Sequence, residues 1–260
     1  MFIYSIIIYY NMERIIKQTR EVGTSAGVLL PRNWLNKQVV VTLFSSSIKD
    51  ISKDVLSILI SKNLNEEVKG IYLFGSYARG DYDFDSDIDI LVITHGVNKL
   101  IKEGIYEISL VSEDNFSRNL TKSLIYLSMI KEAKVILNKE LIQKYRNSIK
   151  KLNFSTLFNE IGRMIKLNKE IVKFHQEEGL NILDGTVYSI VLRLRELYLI
   201  KCIKSNKEYI KKDFIKIVGE KSYSAYLRIK REDKELDDIS PNDTKILIDL
   251  SEKWLKEIKG

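Results

Sequence analysis

Residues 73–92 read Leu73-Phe-Gly-Ser-Tyr-Ala-Arg-Gly-Asp-Tyr-Asp-Phe-Asp-Ser-Asp-Ile-Asp-Ile-Leu-Val92, with five aspartates at alternate positions: Asp81, Asp83, Asp85, Asp87 and Asp89. On one continuous strand all five carboxylates would share a face at a spacing of about 7 Å. Mutual repulsion makes such a row unstable unless cations join it or a turn disperses part of it. The segment from Gly80 to Asp85 is polar and loop-like, so Asp81, Asp83 and Asp85 can splay into water. Asp87 and Asp89 instead open the apolar run that continues to Ile93, which fixes them at the mouth of a buried strand. Two rigid carboxylates two residues apart are a hard-oxygen donor set suited to Mg²⁺ or Mn²⁺.

Just upstream, Gly75-Ser76 follows the apolar run Ile71-Tyr-Leu-Phe74 and precedes Tyr77-Ala-Arg79. A glycine at a strand-to-helix turn lets backbone N–H groups approach an anion. Phosphates held at Gly75 and Ser76 would lie beside cations held by the Asp pair. Arg79 can neutralise such a phosphate, or pair with an aspartate of the loop.

The elements Gly75-Ser76-x-Ala-Arg-Gly80 and Ser86-Asp-Ile-Asp-Ile-Leu-Val92 resemble the signature of the DNA polymerase β-like nucleotidyltransferase superfamily, in particular its minimal nucleotidyltransferase-like domains. The resemblance implies a third carboxylate on a later strand, completing the metal site and orienting or deprotonating an attacking hydroxyl. Glu107, on the run Ile105–Val111, is the residue in that place; Asp is the commoner choice there, and Asp114 just beyond is the fallback. The resemblance thus implies Asp87, Asp89 and Glu107 as catalytic and metal-binding residues, and Gly75, Ser76 and Arg79 as nucleotide-binding residues. The implied chemistry is Mg²⁺- or Mn²⁺-dependent transfer of a nucleoside monophosphate from an NTP, ATP among the choices, to a hydroxyl of a protein, a tRNA end or a small molecule.

Working outward, residues 49–140 alternate helix and strand, as a compact α/β unit with a mixed sheet does. Expected elements are a helix capped by Asp50 or Ser52, strands Gly70–Phe74, Ile88–Thr94, Ile105–Val111 and Lys134–Leu137, and an amphipathic helix Ser117–Ile130. Residues 141–260 read as a helical bundle, with helices Leu152–Gln176, Thr186–Lys204, Lys211–Val218, Ser222–Arg231 and Asn242–Ile258, and Asp184 and Asp243 as N-caps. Leu192, Leu194, Leu197 and Leu199 are candidate core residues there. Arg193 and Arg195 either face the cleft or pair with acids such as Glu196, and no histidine follows them to form a ribonuclease-type Arg/His pair.

Residues 12–48 are expected to form a small β module: a strand Arg14–Glu21, a connection Gly23–Gly27, a strand Val28–Leu30, a single turn at Pro31–Leu35 and a strand Val39–Leu43. The string Val22-Gly-Thr-Ser-Ala-Gly-Val-Leu-Leu-Pro-Arg-Asn-Trp-Leu-Asn-Lys-Gln-Val-Val-Val-Thr-Leu-Phe44 resembles the AbrB-like swapped-hairpin domains of prokaryotic DNA-binding proteins. That resemblance implies an intertwined homodimer with basic side chains facing DNA. Residues 1–11 are an apolar tail or extra strand, too short to span a membrane and without the basic lead of a signal peptide; Met12 would itself begin a well-patterned domain.

Charge is unevenly spread. Residues 12–49 carry net +4, residues 50–140 net −4 and residues 141–260 net +7, within a total of +7. The basic flanks suit a nucleic acid or polyphosphate partner. With 260 residues, 2 Pro and 12 Gly, the chain is no disordered or collagen-like polymer, and its single Cys202 excludes an internal disulfide framework and any multi-cysteine metal site. His95 reads as a turn residue, His175 as surface and Cys202 as core. The expected protein is α+β and cytoplasmic, without a membrane segment. Its parts are a β module, a nucleotidyltransferase domain and a helical bundle. The competing expectation is a dimeric DNA-binding regulator or antitoxin-like protein whose transferase domain is inactive.

Overall fold

The computed structural model describes residues 17, 19–41, 47–83, 86–149 and 152–259. The apolar tail at 1–11, Asp85 and the end of the strand expected at Val39–Leu43 lie outside the described residues.

Near the N-terminus, β1 (Arg20–Val22) and β2 (Ser25–Gly27) pair antiparallel, with Arg20 opposite Gly27. The turn needs the positive φ of 59° that Gly23 supplies. The second strand begins directly after this two-residue turn, at Ser25, rather than at Val28–Leu30. A 3₁₀ turn at Arg32–Trp34 follows Pro31, and Val39–Val41 form no strand. Nothing from 19 to 41 is buried.

Helix α1 (Ile48–Ser61) turns Ile51, Val55, Ile58 and Leu59 inward. Its cap is Ser47, whose hydroxyl accepts the Asp50 N–H at 3.2 Å and donates to the Asp50 carboxylate at 2.6 Å. Asp50 is thus the reciprocating partner of the cap, one turn inside the helix, not the cap itself. The chain continues through β3 (Val68–Phe74), α2 (Gly75–Arg79), β4 (Ile88–Thr94), β5 (Lys99–Glu103), β6 (Tyr106–Ser112), α3 (Glu113–Asn119), α4 (Leu124–Glu132) and β7 (Lys134–Leu137). Sequence pattern misses β5, and reads α3 and α4 as one helix.

The five strands stand in the order β5-β6-β4-β3-β7. The β4–β6 pair is parallel and the other pairs antiparallel, so the sheet is mixed. Both of its faces are buried. Ile71, Leu73, Ile90, Val92, Ile108 and Leu110 pack with α1 in one core. Tyr72, Leu91, Ile93 and Val111 belong to a second core that runs without a break into the C-terminal helices.

Those helices are α5 (Lys139–Ser148), α6 (Ser155–Glu177), α7 (Asp184–Lys204), α8 (Lys211–Val218), α9 (Glu220–Arg231) and α10 (Pro241–Lys259). Leu194, Leu197, Phe214, Leu247 and Trp254 fill their centre. Asp184 is not a solvent-facing cap: its fully buried carboxylate receives Arg228 at 2.5 and 2.8 Å and the Leu236 N–H at 3.0 Å. At α10 the capping hydroxyl is that of Ser240, which accepts the Asp243 N–H at 3.1 Å.

Strand alternation then decides where the site lies. Leu91 and Ile93 face the helical core, so Asp89 two residues earlier points to the same side. Val111 does likewise on β6, which puts Ser109 and Glu107 on that face. The carboxylates therefore sit at the strand ends beside the helical layer. No helix among the described residues is long and apolar enough to cross a membrane.

Candidate active site

The β3–α2 junction is built around a close approach. Gly75 adopts φ +72°, a left-handed conformation that side chains disfavour, and a Cβ placed on it would overlap the Asp89 carboxylate. The register agrees, with Phe74 opposite Asp89 across β3 and β4. Glycine at position 75 thus lets the turn and the carboxylate occupy adjoining space. Ser76 follows, partly exposed at the start of α2, and its carbonyl accepts the N–H groups of Gly80 and Asp81 at 2.8 and 3.1 Å.

In the parallel β4–β6 pair Asp89 stands opposite Glu107. Asp87, just before β4, is exposed, and Asp89 is partly buried. Burial, then Glu107, then Asp87 push the Asp89 carboxyl up to about 6, while Lys230 of α9 and Arg79 pull it back. Burial is the largest of these causes; the strand register, with Glu107 opposite Asp89 and Asp87 two residues before it, places the three acids at one end of the sheet. Glu107 also accepts an ion pair from Lys102 at 2.8 Å, and no closed group of three ligating side chains is assembled among the described residues. Asp87, Asp89 and Glu107 are thus brought together as neighbours, without being gathered around one point. Asp114, in the first turn of α3, is set beyond the far end of β6. The crowded carboxylates are all oxygen donors, and their repulsion is the kind a divalent cation relieves, so the donor set fits Mg²⁺ or Mn²⁺.

Arg79 takes the second of its two expected uses. It pairs with Asp81 at 3.2 Å and with Glu132 of α4 at 2.5 Å, tying the aspartate loop to the helix behind it. Asp83 is held from the opposite side by Lys211 of α8, at 2.6 Å. Within the loop the Asp83 N–H donates to the Ser86 hydroxyl at 2.8 Å. Dispersal of the aspartate row therefore comes from a turn and from two cations, not from water alone.

The helical layer supplies what local spacing did not reveal. Tyr209, before α8, lies under Arg79 at 5.3 Å and beside Arg195 of α7 at 5.7 Å. Tyr223 and Tyr226 of α9 stack at 5.7 Å, and Tyr188 stacks on Tyr226 at 5.1 Å. The one available signal was the pair Arg193 and Arg195, whose two members part ways: Arg193 pairs with Glu196 at 2.8 Å and Glu160 at 3.3 Å.

Comparison with known proteins matches residues 52–175 to the nucleotidyltransferase domain. A candidate protein adenylyltransferase of Methanocaldococcus jannaschii is 46% identical over 46 residues, 18% of this chain and 41% of that protein. This chain thus spans less than half the length of that relative. A second candidate protein adenylyltransferase from the same organism is 36% identical over 94 residues, 32% of this chain and 92% of that protein. Among solved structures, a spectinomycin adenyltransferase from Enterococcus, described with ATP and spectinomycin, aligns over 79% of this chain and 98% of its own at 14% identity and a TM-score of 0.42. The family match begins beyond the N-terminal β module and includes β3, α2, β4 and β6, whose residues form the crowded carboxylate site. By sequence, the chain belongs to the nucleotidyltransferase domain family.

Proposed function

We propose that this protein transfers a nucleoside monophosphate from an NTP to an acceptor hydroxyl, with Asp87 and Asp89 holding a divalent cation. The observation that carries the reading is the Gly75 turn lying against the Asp89 carboxylate, because it sets a phosphate-accessible backbone beside a cation ligand. When bound, the cation neutralises the triphosphate and the charge that develops on it. Ser76 and the N–H groups of its turn orient the phosphates. Glu107, opposite Asp89, orients the acceptor hydroxyl or takes its proton once the ion pair with Lys102 opens. Arg79 holds the aspartate loop through Asp81 and Glu132 and contributes its charge to the phosphate side of the cleft. The names of the two archaeal relatives favour ATP as donor and a protein hydroxyl as acceptor.

Calorimetric titration of ATP, GTP, CTP and UTP in Mg²⁺ tests this on the wild type and on Asp87→Ala/Asp89→Ala. The expected result is Mg²⁺-dependent binding, strongest for ATP and lost in the double variant. Absence of binding to every NTP by the folded wild type would reject the reading.

The competing reading, a dimeric DNA-binding regulator with an inactive transferase domain, draws support from the exposed Arg20, Arg32 and Lys37 on an otherwise coreless module. It requires binding to duplex DNA that weakens steeply with salt, survives Asp87→Ala and is lost on substitution of Arg20 or Arg32.

A further inference from the structure

Residues of α4, α5 and α7 line a cavity of about 360 Å³, large enough for a small organic molecule. None of its lining residues belongs to the carboxylate cleft. Much of the lining is apolar. Leu127 and Ile130 of α4 are buried, while Ile149, just past α5, and Ile203 of α7 are half-buried against the helical core. The partial exposure of Ile149 and Ile203 leaves the cavity open to solvent.

Two cations share this lining, Lys131 of α4 and Arg146 of α5. Helix ends explain why they lie there. Arg146 donates from Nε and Nη2 to the Ile130 carbonyl at 3.1 and 2.9 Å, and from Nη2 to the Ala133 carbonyl at 3.0 Å, where α4 stops. Lys131 Nζ donates to the Cys202 carbonyl at 3.2 Å, in the last turn of α7, and to the Lys207 carbonyl at 2.5 Å beyond it. The final carbonyls of a helix lack intrahelical donors and carry partial negative charge, which suits a cation. A carbonyl dipole is still no counter-charge. Among the described residues neither cation has a carboxylate within ion-pair distance, and Arg146 Nη1 and the third Nζ proton of Lys131 have no acceptor. Glu132, next to Lys131 in the chain, is committed to Arg79 and Ser128. Burial holds the Lys131 ammonium below the usual lysine range, a cost that a bound anion would relieve.

We propose that this cavity is a binding site for a small apolar carboxylate. Its hydrocarbon body lies against Leu127, Ile130, Ile149 and Ile203, and its anionic head faces Lys131, with Arg146 adding positive charge to the same cavity. Each half of that ligand answers one half of the lining. A bare inorganic anion would leave the apolar residues wet, and a neutral hydrocarbon would leave two cations unmatched.

Isoleucine-methyl NMR on the full chain tests this by following Ile130, Ile149 and Ile203 during titration with sodium octanoate, sodium acetate and 1-octanol. Octanoate should shift these methyls saturably, with an affinity at least about tenfold above that of either control. Lys131→Met keeps an apolar stem and removes the charge. It should weaken octanoate by about tenfold to a hundredfold, the range for losing a hydrogen bond to a charged group. Ile203→Glu sets a carboxylate in the cavity and should abolish octanoate binding. Circular dichroism checks that both variants fold. Should Lys131→Met fail to fold, because its Nζ serves two carbonyls, Ile203→Glu carries the test, and the comparison of the three solutes on wild type stands without either. Equal affinity for octanoate and octanol, or shifts spread over both cores, would mean hydrophobic partition and overturn the proposal. Acetate binding as tightly as octanoate, no octanoate shifts in the wild type, or wild-type octanoate affinity in either folded variant would overturn it as well.

Discussion

At the scale of single residues, Gly75 bears the tightest constraint in the site. Two effects act on any side chain placed there. The left-handed φ of +72° costs an L-residue roughly 1–2 kcal/mol. The added Cβ would also displace the Asp89 carboxylate. Gly75→Ala should therefore lower the melting temperature by a few degrees, at about 2–4 °C per kcal/mol for a chain of this size. It should reduce Mg²⁺-dependent nucleotide binding far more than that loss of stability explains. Thermal melting and calorimetry on the same preparation separate the two; nucleotide affinity at the wild-type level would show that the turn and Asp89 do not cooperate. The spacing of Asp87 and Asp89 and the glycine before them were legible because strand alternation and turn chemistry are local. The shared Tyr209 ring and the Lys211 pairing were not, because partners more than a hundred residues away leave no mark on local pattern.

At the scale of elements, the Asp184–Arg228 pair joins the start of α7 to α9, and Asp238 lies 3.3 Å from the same arginine. Burial opposes the Asp184 charge, but the Arg228 hydrogen bond and the Leu236 and Asp237 N–H groups hold its carboxyl below the usual range. A carboxyl depressed by folding stabilises the protein above its unfolded pKa of about 3.9, and that contribution is lost as pH falls through the folded value. Asp184→Asn should cost about 3 kcal/mol at neutral pH, the lower part of the range for breaking a buried pair because Asp238 remains beside Arg228. The difference from wild type should shrink on acidification below about pH 4. Urea unfolding at both pH values measures this, and a difference independent of pH would refute the linkage. Reading Asp184 as a cap reflected its place at a helix start, which a local pattern sees, while Arg228 lies 44 residues on. Strand β4 was legible end to end because its apolar run is fully buried. Strand β5 was not, since only Ile101 among its five residues is buried and its lysines imitate a turn. The break between α3 and α4 was masked by Phe116, Leu120, Leu124 and Leu127, which all turn inward and carry the helical period across it.

At the scale of the whole molecule, the two cores and the N-terminal module obey different rules. The sheet and the C-terminal helices share continuous apolar packing, so cooperative unfolding of 47–259 as one unit is expected. Residues 19–41 contribute nothing buried, yet Val22, Leu29, Leu35, Val40 and Val41 are 62%, 67%, 73%, 79% and 75% exposed. A two-stranded hairpin has marginal stability in water, and large exposed aliphatic side chains are apolar surface that association can cover. The swapped-hairpin reading expects a second copy of the module to bury these side chains. Replacing Leu35, Val40 and Val41 together by Ser should therefore convert an associating protein to a monomer in sedimentation or light scattering. The melting temperature of the main body should stay within about 1–2 °C, because exposed side chains away from special features contribute little to folding. A wild type that remains monomeric over a wide concentration range, with the triple variant unchanged, would remove dimerisation from the role of this module. A large fall in melting temperature would instead mean that these aliphatic residues pack against the protein's own body.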